Sequence, residues 1–258
     1  MDGRVFFVGA GPGDPELLTV KALRLIKTAE AIVYDRLVSD EIFDLLPPGA
    51  AKFDVGKRSG SHPVPQDEIN LILIRLARAG RTVVRLKGGD PLTFGRGGEE
   101  ALALSSAGVP FEIVPGISSA QGASSSLAVP LTHRGVASGV RYLTGHCRAG
   151  ADLDFDWDGL ADNKTTLVIY MGRANIAEIA RQLEAHGRDP LTPVIAVSNA
   201  TRPDEAHLVS TLERIAGEVE RACLRVPTLF IVGEVVDLAK TLGTVGHAPS
   251  KIQYVAAE

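Results

Sequence analysis

The sequence predicts an α/β protein of two α/β domains with mostly parallel or mixed sheets. The first sign is the alternation of short β-branched runs with helix-period segments along both halves of the chain. The second is composition: 258 residues, 45% hydrophobic and 22% charged, supply a sizeable core and exclude disordered, collagen-like and coiled-coil classes. The third is a Gly-, Ser- and Ala-rich stretch near mid-chain, over 115–126, that reads as a hinge or as a tightly packed helix start beside a ligand.

In the first half, residues 4–8, 31–34, 82–86 and 111–114 are expected to be buried strands, bounded by Gly, Pro or charged residues. Between them, 66–79 is the clearest amphipathic helix: Ile69, Ile72, Leu73 and Leu76 share one face and Gly80 follows as a stop. In the second half, 141–144, 165–170, 193–197 and 228–232 are strand candidates, with 176–185 a helix. No fixed-period repeat is present. The expected organisation is an N-terminal α/β domain over 1–116, a C-terminal one over 117–243 and a tail over 244–258. On a parallel sheet, ligands sit at the carboxyl ends of the strands.

Charge and cysteine usage narrow the function. Twenty-seven Lys plus Arg against 31 Asp plus Glu leave a net charge of −4, no field for nucleic acid or an anionic membrane. Cys147 and Cys223 lie far apart, which implies neither a disulfide framework nor a zinc site. The first residues pass straight into a β-like run without a signal-peptide pattern, and no apolar stretch approaches the roughly 20 residues that span a bilayer. The expected place of action is the cytoplasm.

Several motifs carry chemistry. Gly9-Ala-Gly-Pro-Gly-Asp-Pro15 follows a strand, as a dinucleotide-binding loop does, but Asp14 stands where the third fingerprint glycine belongs and would oppose a pyrophosphate. Asp35, at the end of the next strand, is otherwise placed as a ribose-binding acid would be. The run from Arg85 to Glu100 holds Gly88-Gly-Asp-Pro91 and Phe94-Gly-Arg-Gly-Gly-Glu99, a long loop whose backbone is its working part, with Arg96 and Glu99 projecting from it. Arg36, Lys57, Arg58, Lys87, Arg96, His133 and Arg134 all follow strand candidates or lie in Gly/Pro-rich connections, so they can converge into a basic basin on an acidic protein. Asp154, Asp156, Asp158 and Gly159 match the opening of a calcium loop, but Thr165 occupies its twelfth position, so they read as an acidic loop that N-caps a short helix near Trp157. Met171, in Tyr170-Met-Gly172, lies against an adenine or fills core. No histidine spacing suggests a metal site.

Taken in order, these blocks resemble the tetrapyrrole methylase family of S-adenosylmethionine-dependent enzymes over nearly the whole chain. The match also includes Val55-Gly-Lys-Arg58, Val114-Pro-Gly-Ile117, Pro130-Leu-Thr-His-Arg134 and Val232-Gly-Glu-Val235. Phe94-Gly-Arg-Gly-Gly-Glu-Glu100 together with Pro130-Leu-Thr-His-Arg134 is most similar to the branch that acts on uroporphyrinogen III. The resemblance implies the class III methyltransferase architecture and a homodimer with the donor folded between two domains. It implies transfer of methyl groups to carbons 2 and 7 of uroporphyrinogen III, giving precorrin-2 and S-adenosylhomocysteine, in sirohaem or cobalamin biosynthesis. Carried over by motif, the donor residues are Pro12, Gly88, Gly89, Asp90, Thr93, Ser118, Ser119, Met171 and Ala200; the acid–base pair is Asp35 and Lys57; Arg36, Arg96, Glu99 and Arg134 handle substrate. One departure stands at Ser124-Ser-Ser-Leu127, where the family commonly carries an aromatic residue.

The residue types fit that chemistry. An Arg/Lys basin holds a polycarboxylate by charge-assisted contacts without making the whole protein basic. Methyl transfer from sulfur to carbon needs alignment above all. The attacking pyrrole sheds a proton, a task that suits Asp35 or Glu99 with an arginine beside it. The stretch over 56–66 has the composition of a lid. The competing readings are a methylase of the same fold acting on a later tetrapyrrole, a nicotinamide-dependent oxidoreductase suggested by the glycine loop and Asp35, and a non-enzymatic tetrapyrrole carrier.

Overall fold

The computed structural model describes residues 3–56, 64–146 and 153–243, which fall into two units dividing after Ser119. Lys57, Arg58 and most of the expected lid, as well as Cys147 and the 244–258 tail, lie outside the described residues.

The first unit is one parallel five-stranded sheet. Its strands are β1 (Arg4–Gly9), β2 (Ala31–Tyr34), β3 (Ala51–Asp54), β4 (Thr82–Lys87) and β5 (Phe111–Val114), ordered β3-β2-β4-β1-β5. Helices α1 (Val20–Thr28), α2 (Asp40–Phe43), α3 (Gln66–Arg78) and α4 (Gly97–Ser106) connect them. Ala22 and Ile26 of α1 pack with Val8, Ile32, Val84 and Leu86 on one face. Ile69 and Leu73 of α3 and Ala101 and Leu104 of α4 pack with Val5, Phe7, Val33 and Val83 on the other. Both faces are covered, which is why the strands read as continuous apolar runs.

This arrangement places a ligand crevice. β1 and β4 are neighbours, yet the helix after β1 lies on one face and the helix after β4 on the opposite face. Adjacent strands whose connections leave in opposite directions open a crevice at their carboxyl ends. The two loops that leave there are the two glycine-rich motifs.

The second unit is a mixed sheet of β6 (Gly139–Thr144), β7 (Thr165–Tyr170), β8 (Pro193–Ser198), β9 (Ala206–Thr211) and β10 (Thr228–Val232), ordered β6-β7-β10-β8-β9. Only β6 and β7 run parallel; the other three pairings are antiparallel. Helices α5 (Ser119–Ser126), α6 (Trp157–Leu160), α7 (Ile176–Ala185), α8 (Ile215–Arg221) and α9 (Ala239–Leu242) complete the described chain. Asp156 caps α6 by accepting from the Gly159 N–H, the role expected of that acidic loop. The Gly/Ser/Ala-rich stretch forms α5.

Close backbone packing ties the carboxyl ends of β1, β4 and β5 together. A Cβ on Gly116 would lie 2.2 Å from the Gly89 carbonyl oxygen, and one on Gly9 would lie 2.5 Å from Gly116 Cα. The obstacle in both cases is backbone, which has no rotamer to yield. Gly116→Ala is therefore expected to cost about 2–4 kcal/mol of stability. Urea unfolding checks this, with a lowered midpoint at unchanged slope as the expected outcome.

Candidate active site

The first glycine loop leaves β1 and meets the second. Gly11 and Gly89 exchange backbone hydrogen bonds, at 3.2 Å (Gly11 N to Gly89 O) and 2.7 Å (Gly89 N to Gly11 O). Both have positive φ, +71° and +67°, where a side chain is strained. After the loop comes only a three-residue 3-10 turn, Pro15–Leu17, whose N-terminus is already occupied: Asp14 accepts from the Glu16 N–H at 2.8 Å. A dinucleotide loop needs a free helix N-terminus for the pyrophosphate. The first glycine loop does not provide one, so the nicotinamide reading loses its phosphate site as well as its third glycine.

The second loop is shaped from within. Asp90 accepts from the N–H groups of Leu92 and Gly116 and from the Thr93 hydroxyl, at 2.9, 3.2 and 3.3 Å. Beyond it the chain turns back so that the Gly97 N–H meets the Pro91 carbonyl at 3.0 Å. Phe94 and Arg96 both take left-handed φ, at 52° and 59°. Two non-glycine residues in that region within one short loop store backbone strain of the kind that gathers at functional sites. Glu99 and Glu100 are neighbours in the first turn of α4, about 100° apart around its axis, and so meet different surroundings. Glu99 stays exposed and grips Arg96 in a two-point contact, Nε to Oε1 at 3.0 Å and Nη2 to Oε2 at 2.6 Å. That contact holds the Glu99 carboxyl below the usual carboxylate range. Glu100 turns inward.

Glu100 is the centre of a buried charge cluster. Its Oε1 accepts from Arg85 Nη2 at 3.0 Å, Lys87 Nζ at 3.0 Å and Gln66 Nε2 at 3.1 Å, and its Oε2 accepts from Arg85 Nε at 3.0 Å. Arg85 and Lys87 alternate along β4 and so share the face that carries Val83. Arg85 Nη2 also donates to Asp35 Oδ1 at 3.0 Å, and Lys87 Nζ lies 3.7 Å from Asp35 Oδ2. Two cations thus meet two carboxylates. Side chains of Arg85, Lys87 and Glu100 are at most 4% exposed, whereas Asp35 is 29% exposed. Asp35 is the member of the cluster that reaches solvent.

Burial acts against both cations, with different outcomes. For Arg85 it is outweighed by Asp35 and Glu100, which raise the guanidinium further above its ordinary value. For Lys87 burial, joined by the nearby Arg85 charge, prevails and lowers the ammonium below the usual lysine value. Lys87 is therefore a correction to the expected basic basin: it is buried against Glu100 and does not line a surface. Arg85 and Glu100, which organise the site, were not singled out from sequence. The available signal was an arginine and a lysine two residues apart in a strand buried on both faces, a pattern that demands a buried counter-charge.

The remaining sequence candidates fall as follows. In the first unit Pro12, Gly89 and Ser118 are buried, while Gly88, Asp90, Thr93 and Ser119 are partly exposed around the ends of β1, β4 and β5; Arg36 is exposed next to Asp35. These the structure brings to one end of the first sheet. In the second unit Met171 follows β7 with φ of 54° and is 50% exposed, so it does not fill core. Ala200 is buried between Asn199 and Thr201, both with positive φ, and Arg134 is exposed in the segment before β6. In the Ser124–Leu127 stretch Ser126 donates to the Ala123 carbonyl at 3.3 Å and Ser124 to the Val129 carbonyl at 2.7 Å. Among the described residues no cluster of His, Cys, Asp or Glu has metal-binding geometry, and no helix is long and apolar enough to cross a membrane.

Comparison with known proteins places this arrangement. The family described as tetrapyrrole (corrin/porphyrin) methylases matches residues 4–216. A uroporphyrinogen-III C-methyltransferase of Paracoccus denitrificans is 55% identical over 238 residues, covering 92% of this chain and 83% of that protein. Siroheme synthase 1 of Yersinia enterocolitica is 48% identical over 256 residues, 98% of this chain but 53% of that protein, so the chain spans about half the length of that relative. The crystal structure of a Thermus thermophilus uroporphyrin-III C-methyltransferase complexed with S-adenosylhomocysteine matches with a TM-score of 0.78 at 45% identity, covering 92% of this chain and 94% of that one.

The two adjacent glutamates give a direct test of the geometry. Glu100→Ala leaves two buried cations short of a partner and is expected to cost about 3–5 kcal/mol. Glu99→Ala breaks only an exposed pair and is expected to stay within about 0.5–1 kcal/mol of the parent. Parallel urea titrations of the two variants measure the contrast.

Proposed function

The chain belongs to the tetrapyrrole methylase family, and on that premise we propose that it methylates uroporphyrinogen III at carbons 2 and 7, using S-adenosylmethionine and yielding precorrin-2. The observation that carries the reading is Asp35. It is a carboxylate at a strand's carboxyl end, part-exposed, with its other side held by Arg85 and Lys87. The nicotinamide alternative lacks the third fingerprint glycine, and Asp14 already accepts from the N–H of Glu16 where a pyrophosphate would need a free helix N-terminus.

The residues fit the donor. A side chain at Gly89 would touch the Ser119 backbone nitrogen and hydroxyl at 3.9 Å without a clash, so it is the left-handed φ of +67° that calls for glycine and shapes the turn proposed to meet the donor. Gly88, Gly89, Asp90, Thr93, Pro12, Ser118 and Ser119 are proposed to hold it from the first unit, with Met171 and Ala200 as donor contacts in the second. When bound, S-adenosylmethionine supplies an electrophilic methyl carbon. The protein's own part is orientation and proton transfer. Asp35 accepts the proton that the methylated pyrrole sheds, and Lys57 is the proposed second member of the acid–base pair.

Arg36, Arg96 and Arg134 are assigned to the substrate's carboxylates. The exposed two-point contact of Arg96 with Glu99 supports assigning the two together to the handling of the substrate, since a guanidinium edge of that geometry suits a carboxylate. The dimeric state and a cytoplasmic location belong to the same proposal.

Purified protein incubated with uroporphyrinogen III and methyl-labelled S-adenosylmethionine is expected to place label on the macrocycle. No incorporation there, with incorporation into a later tetrapyrrole precursor, would overturn the substrate assignment; binding of NAD(P) without S-adenosylhomocysteine in calorimetry would overturn the class. Arg96→Ala is expected to lower kcat/KM for uroporphyrinogen III by about 10–100-fold, the worth of a charge-assisted contact. Its affinity for S-adenosylhomocysteine is expected to stay within about two-fold of the parent, because the residue faces the substrate.

A further inference from the structure

Assigning the proton to Asp35 leaves Arg85 and Glu100 without a stated task, and stability alone does not account for them. A buried ion cluster is commonly no more stable than apolar residues of similar volume. The geometry instead has a direction. Arg85 Nη2 stands 3.0 Å from Glu100 Oε1 and 3.0 Å from Asp35 Oδ1. The guanidinium is fixed on its remaining sides: Nε donates to Glu100 Oε2 at 3.0 Å, and Nη1 donates to the carbonyls of Val33 and Leu86 at 3.4 Å. Asp35 is the carboxylate of the cluster with solvent access, and the other, Glu100, grips the cation that holds it.

We propose that Arg85 and Glu100 are positioning residues for methyl transfer: Glu100 locks the planar fork of Arg85 so that one N–H is aimed at Asp35 and holds the proton acceptor in a single orientation. This rests on the assignment of Asp35 as that acceptor. An arginine side chain left to itself carries about 2 kcal/mol of rotamer entropy, and a part-exposed carboxylate on a strand end is free to turn. Glu100 removes the first freedom and Arg85 the second. A lysine in place of Arg85 would keep the charge but lose the fork that bridges two carboxylates. Arg96 caps α4 and Glu100 lies in its first turn, so the segment that presents Arg96 outward also carries the anchor behind Asp35. Substrate grip and base orientation share one piece of backbone.

Steady-state kinetics with uroporphyrinogen III and S-adenosylmethionine test this, using Arg85→Lys and Glu100→Gln in the parent and in the Asp35→Ala background. Each variant is expected to lower kcat by about 10–100-fold, as misplacement of a reacting group does. KM for both substrates and the Kd of S-adenosylhomocysteine are expected to stay within about two-fold. In the Asp35→Ala background the same changes are expected to have less than about a two-fold further effect, because they act through the missing carboxylate. Equal losses in kcat and binding, or losses that multiply with Asp35→Ala, would overturn the positioning role. Parent-like rates in both variants with a slow Asp35→Ala would do the same while leaving the base assignment intact. A parent-like rate in Asp35→Ala would remove the base assignment itself. Should Arg85→Lys fail to fold by its thermal transition, Glu100→Gln, of equal size and still an acceptor, carries the same readouts.

Discussion

The contact between Glu100 and Arg85 is the constraint around which the first unit is arranged. It requires β4 to carry a cation into a layer that is otherwise apolar, and it requires α4 to begin with a carboxylate pointing down onto that strand. Neither charge is tolerable there alone. Together with Lys87 and Asp35 they form a neutral set, two positive and two negative, in which hydrogen bonds replace the water that burial removed. Because β4 lies between β2 and β1, this set sits beside the crevice that the sheet topology opens. The proposed chemistry and the folding problem therefore fall on the same few residues.

Backbone rather than side chains builds the floor of that crevice. Gly9, Gly89 and Gly116 approach so closely that three strand ends behave as one piece, and Asp90 ties the third to the second through the Gly116 N–H. The rigidity matters for a reaction whose rate comes largely from alignment. A strained loop mounted on a rigid floor can keep Arg96 available at the surface and Glu100 fixed below it, roles that a flexible connection would blur.

Much of this was readable in the residues. The runs at 31–34, 111–114, 165–170 and 228–232 are strands at those limits, and the three that lie inside their sheets, 31–34, 165–170 and 228–232, leave a nearly unbroken apolar record because both faces are covered. β3 and β9, one edge of each sheet, leave a weaker trace than the opposite edges β5 and β6, because Ala51-Lys-Phe-Asp54 and Ala206-His-Leu-Val-Ser-Thr211 interleave polar with apolar residues. Apolar runs report burial and not direction, so the antiparallel pairing that dominates the second sheet left no mark. At the site, Asp35, Arg96, Glu99 and the Gly88–Asp90 turn were legible because local chain features announce them. Arg85 and Glu100 were not, since their partnership exists only once α4 folds back over β4. Lys87 was misread for the same reason, as a basic residue looks like a ligand-binding one until its counter-charge is found.

The account is tested most directly by a crystal structure of the protein with S-adenosylhomocysteine and a non-reactive porphyrin polycarboxylate. The predicted result has the donor lying against Gly88, Gly89 and Asp90, its sulfur turned toward the macrocycle, with the Asp35 carboxylate still held by Arg85 and facing the ring carbon to be methylated. A donor bound away from the carboxyl ends of β1 and β4, or an Asp35 that has left Arg85 and turned from the macrocycle, would contradict it.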